Sequence, residues 1–194
     1  MTPYGFLLAL LLVPLPMHSG LAFAASQPPQ ANPIGTAVLG FKERVAEYLK
    51  LHREAASKAP KLISTNDAAT VLRQEVELAA MIKKLRPDAK EGDIFTDAFR
   101  TVLAREVRRD FLRRSAADRN ALMLEPPKNM KIAVNMTYPI DKALGTFPGQ
   151  LLQKLPELPP ELEYRIVGHH IVLRDVAANI IVDIARNIIP VIVD

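Results

Sequence analysis

Seven arginines lie between residues 100 and 119, at Arg100, Arg105, Arg108, Arg109, Arg113, Arg114 and Arg119, with three acids among them, Glu106, Asp110 and Asp118. Arg105, Arg108, Arg109 and Arg113 recur at steps of three and four, which on a helix brings four guanidinium groups to one face. Such a face suits bidentate contact with phosphates, as on lipid headgroups or lipopolysaccharide. The plainer reading is a solvated face on which Asp110 and Arg114 pair at i, i+4. Nucleic acid is a poor fit, because no recognition motif or aromatic stacking platform accompanies the arginines.

A second candidate is the pair His169-His170 in EYRIVGHHIVLRD (163–175). Neighbours on a strand point to opposite faces, so the two imidazoles cannot share one ion without a kink. Gly168 just before them suits the positive φ of a tight turn, so the pair reads as a turn in a hairpin. The alternative is a metal- or pH-responsive site built on His169 and His170. Asp93/Asp97 and Glu106/Asp110 have the spacing of paired carboxylates. Asp93 reads as a helix N-cap and Asp97 as a charge near the positive pole, while arginines around Glu106 and Asp110 hold both ionised. The chain has no cysteine, and no serine lies in a GxSxG or SxxK setting. No glycine-rich phosphate loop is present. Catalysis therefore has little material, and no cofactor is implied.

These residues need a frame. Val38, Phe41, Val45, Tyr48, Leu49 and His52 form one apolar stripe. A second helix follows the cap cluster Ser64–Asp67, with a stripe through Ala68, Val71, Leu72, Ala79, Ile82 and Leu85. A third runs from about Asp93 to Arg114 through Phe95, Phe99, Leu103, Val107 and Phe111, and a shorter turn of helix follows in SAADRNALML. After EPPKN (125–129) the pattern changes. MKIAVNMTYP reads as a strand, FPGQLLQKLP as a short helix, and ELEYRIV, HIVLRD and NIIVDIARNII as strands of a meander. A helix over Val176–Ile189 competes with the last strand, but its isoleucines and valines favour β. The expectation is an α+β protein: a bundle of about three helices over 36–128, then a small antiparallel sheet with one short helix over 129–194.

The first charged side chain is Lys42. The apolar run Phe6–Met17 is interrupted by Pro14 and Pro16 and followed by Ala22-Phe23-Ala24, a small-x-small cleavage pattern. It is shorter than the roughly 20 apolar residues of a spanning helix. Residues 1–24 read as a signal peptide, 25–35 as a flexible linker, and no transmembrane helix is expected after cleavage. The destination is periplasmic or secreted, in a bacterium, without disulfides.

GDIFTDAF (92–99), VNMTYPID, TFPGQLLQKLPELPPELEYRIVG and IVLRDVAANIIVD resemble a family of uncharacterised exported bacterial proteins. The resemblance covers most of the chain beyond residue 24 and implies export, with no activity attached. That family carries a basic–acidic pair where His169-His170 stand, so the resemblance implies no general role for the histidines. The C-terminal meander also resembles the hairpin region of periplasmic nickel–cobalt homeostasis proteins. Together these readings predict a non-catalytic envelope protein that binds a protein partner or an anionic lipid or lipopolysaccharide. The partner's place would be a sheet edge or the FPGQLLQKLP segment.

Overall fold

A computed structural model describes residues 32–59, 66–124, 130–138 and 147–191. The element order is α1 (Pro33–Lys58), α2 (Ala68–Leu85), α3 (Asp97–Arg113), α4 (Ala116–Leu124), α5 (Gly149–Leu152), β1 (Leu162–Val167), β2 (His170–Asp175) and β3 (Ile180–Ala185). The chain is α+β, with its helices preceding a three-stranded antiparallel sheet of order β1-β2-β3. Among the described residues no helix is long and apolar enough to cross a membrane. The signal-peptide segment lies outside the described residues, as do linker positions 25–31. Positions 33–35 of the expected linker belong to α1 instead. The Asn32 side chain accepts from Ile34 N, and Pro33 opens the helix, where its missing N–H costs nothing.

Helix α1 buries Phe41, Val45, Tyr48 and His52 against α2 and α3, as its stripe requires. Helix α3 begins later than its pattern suggests. Thr96, not Asp93, is the cap, accepting from Phe99 N at 3.3 Å. The cause lies across the molecule. Asp183 on β3 is fully buried and accepts from the backbone N–H groups of Gly92 (2.9 Å), Ile94, Phe95 and Ile184 (each 2.7 Å). Four donors gathered on one carboxylate fix 92–95 as a loop, and Gly92 supplies its φ of 88°. Burial pushes the Asp183 carboxyl above the usual range, against the pull of those donors.

The two halves expected from the sequence share one core, and 31–194 form one unit. Phe41 and Phe99 stack at 4.0 Å, and Phe95 and Tyr164 of β1 extend the column. The inner face of the sheet packs on the helices. Its outer face carries a smaller cluster, Val167, Val172, Ile181 and Ile184, covered by Ile132 and Tyr138. The strand expected over 130–139 does not form in its described part, 130–138. Only an isolated bridge, Thr137 to Ile180, forms there, because Asn135 turns left-handed at φ 64°. The apolar residues in the segment are there to cover the sheet.

Candidate binding clefts

Gly168 has φ 55° and His169 completes a two-residue turn between Val167 and His170, which are partners in the ladder. A glycine at the first central position matches the twist of a two-residue hairpin. Val176 N donates to Glu161 O, which fixes which residues face β2. Along β1, backbone groups of Glu163, Arg165 and Val167 point inward to β2, and those of Leu162, Tyr164 and Ile166 point outward. Leu162 N is taken by Pro159 O. The outward N–H and C=O groups of Tyr164 and Ile166 have no backbone partner among the described residues.

Beside this edge lies a cleft of about 660 Å³, with β1 on one side and Phe147, Leu152, Leu155 and Leu158 of the α5 segment on the other. Tyr164 ties the two sides, donating through its hydroxyl to Pro156 O at 3.1 Å while its ring meets Phe147 at 5.7 Å. Glu163 and Arg165 line the cleft on the outer face of the sheet. Burial works against the Glu163 charge, but hydrogen bonds from Arg165 and Arg174 more than offset it and hold the carboxyl below its usual range. The cleft is thus an apolar slot with a fixed charge pair at its rim. The chain matches no protein-family model, no curated protein and no solved structure.

The arginine face is reshaped by its own acids. Arg105 donates twice to Glu106, at 3.0 and 2.7 Å, and Arg109 reaches the same oxygen at 3.4 Å. Arg114 Nε donates to Asp110 at 2.6 Å, the i, i+4 pair expected from the spacing. Of the four arginines picked out by their spacing, Arg109 and Arg113 line a cleft of about 350 Å³ between α3 and α5, joined by Arg114, Gln150 and Lys154. Arg105 and Arg108 are not among its walls.

The histidine pair fastens the chain that returns after β3. His170 Nδ1 accepts from Asn187 N at 3.0 Å, and His169 Nδ1 lies 3.2 Å from Ile189 O. Burial, with Arg186 and His169 adding to it, holds the His170 imidazole below its usual range. Among the described residues no three His, Asp or Glu side chains converge as metal ligands. The histidine with an acidic partner is His52 instead. Its Nδ1 lies 2.7 Å from Asp175 Oδ2, and Tyr48 donates to the same oxygen at 2.7 Å, while Ala178 N donates to Oδ1. The hydrogen bond to Asp175 raises the His52 imidazole above its usual range, although burial opposes it. No hydroxyl nucleophile hydrogen-bonds His52 among the described residues, so the cluster reads as a fastening of α1 to β2. Spacing alone could not reveal it: Tyr48 and His52 share a helix face, but Asp175 lies 123 residues beyond His52.

Proposed function

We propose that this chain is an exported, non-catalytic binding protein of the bacterial envelope that takes up one extended segment of a protein partner along β1. The carrying observation is the outward row of backbone groups at Tyr164 and Ile166, on the edge strand whose residues 162–165 line the apolar cleft. An added strand would satisfy those groups, which is how sheet-edge recognition supplies affinity without dedicated side chains. The α5 segment forms the opposite wall, so the slot suits a single strand of about the length of β1 rather than the flank of a second domain. The segment's apolar side chains would alternate toward Tyr164, Phe147 and Leu155, and its polar ones would face Glu163 and Arg165. The resemblance to exported proteins and the leader-like first 24 residues support the location.

Amide hydrogen exchange tests this. In the free protein, Glu163, Arg165 and Val167 amides are expected to be slow and Tyr164 and Ile166 fast. Extended peptides selected from a random library on the full chain are expected to slow Tyr164 and Ile166. Selected peptides that bind while both amides stay fast would refute the reading.

A further inference from the structure

A second, separate cleft carries its own inference. Four cations, Arg109, Arg113, Arg114 and Lys154, and two carboxylates, Glu106 and Asp110, line the α3–α5 cleft, so its walls carry 4 − 2 = +2. The carboxylates are not spread evenly. Asp110 holds Arg114 through Nε alone, and Glu106 touches Arg109 through one Nη1 contact at 3.4 Å. Most of the donors of both guanidinium groups are left over. The Arg113 and Lys154 side chains have no hydrogen-bond or ion-pair partner among the described residues, and Gln150 adds an amide that can donate.

The acids thus orient two of the arginines without consuming them, and two further cations stand uncompensated around a concavity. A mere solvated face would spread its charges outward, whereas here the C-terminal end of α3 and Lys154, just beyond α5, bring cations from two parts of the chain to one hollow. We propose that this cleft binds a phosphate monoester or diphosphate group. A dianion matches the residual charge. Its several oxygens suit planar guanidinium forks that approach from different directions, with the Lys154 ammonium as a point charge. A carboxylate ligand, with one charge and two oxygens, would leave donors unused.

The group can come from a soluble phosphate or from a lipid headgroup, and the experiment separates the two. The full chain is titrated calorimetrically with pyrophosphate and floated with vesicles of phosphatidylcholine containing phosphatidic acid, both at about 0.15 M salt, where charges beyond roughly 8 Å are screened. Binding to pyrophosphate marks a soluble source, and binding to vesicles alone marks a lipid. In either case R113Q/K154Q is expected to weaken binding at least tenfold, and R108Q, an exposed arginine outside the cleft, to leave it unchanged. Neither substitution removes a described internal contact, so unaltered urea midpoints are expected to accompany the loss. Absence of binding to both probes overturns the proposal. So does an equal loss in R108Q, which would show diffuse charge attraction rather than a site.

Discussion

Replacing Tyr48 with Phe deletes one oxygen atom and leaves the ring in place, buried and with the Arg86 guanidinium 5.3 Å from its centroid. What disappears is the 2.7 Å hydrogen bond to Asp175, a carboxylate with no solvent exposure. Burial, and then the Asp175 charge, push the Tyr48 phenol far above its usual range, so it remains a donor at any working pH. A hydrogen bond to a charged group contributes about 1.5–3 kcal/mol, a large share of the 5–15 kcal/mol that typically separates folded from unfolded chains. Urea unfolding of Tyr48→Phe is therefore expected to show that loss in midpoint with an unchanged slope. The same cluster sets a pH dependence. Hydrogen bonding to Asp175 raises His52 in the folded state, so folding favours the imidazolium. Its contribution is complete below the unfolded histidine value of about 6.5 and is lost as pH rises through the higher folded value. Wild-type stability should fall across that window, and His52→Gln should flatten it. A Tyr48→Phe cost under about 0.5 kcal/mol, or wild-type stability that climbs through the window, would refute the reasoning.

Asp183→Ala strips the acceptor from four backbone N–H groups and is expected to cost at least about 3 kcal/mol, with faster amide exchange at Ile94 and Phe95. Unchanged exchange there would show that the carboxylate does not hold the loop. At Gly168 an added Cβ meets nothing within 4 Å, so Gly168→Ala should cost only its backbone strain at φ 55°, about 1–2 kcal/mol, read from the urea midpoint.

Local chemistry was legible from the sequence. The hairpin around Gly168, the Asp67 cap and the stripes of α1 and α3 all rest on residues within a few positions of one another. Errors arose where distant partners decide. The stripe assigned to α2 is half right: Ala79 and Ile82 are buried, but Val71 and Leu72 are exposed because the helix meets the core only toward its C-terminal half. In GDIFTD, both Asp93 and Thr96 can cap a helix, and Asp183, far along the chain, selects Thr96. For the arginines, spacing identified the face but not which members the acids would occupy, nor that Lys154 would join from the turn after α5. The slot beside β1 depends on the α5 segment standing opposite that strand, which no periodicity announces.

The far side of β3 is occupied at its first residues. Asn135 and Tyr138 donate to Ile181 O and Asn179 O, and Ile181 donates to Met136 O. Both outward backbone groups of Ile181 are thus taken, whereas those of Tyr164 and Ile166 on β1 have no backbone partner among the described residues. Sheets with two bare flanks can template open-ended stacking; were a strand to add along β1 as proposed, the partnered groups at Asn179 and Ile181 would work against a further addition at the opposite flank.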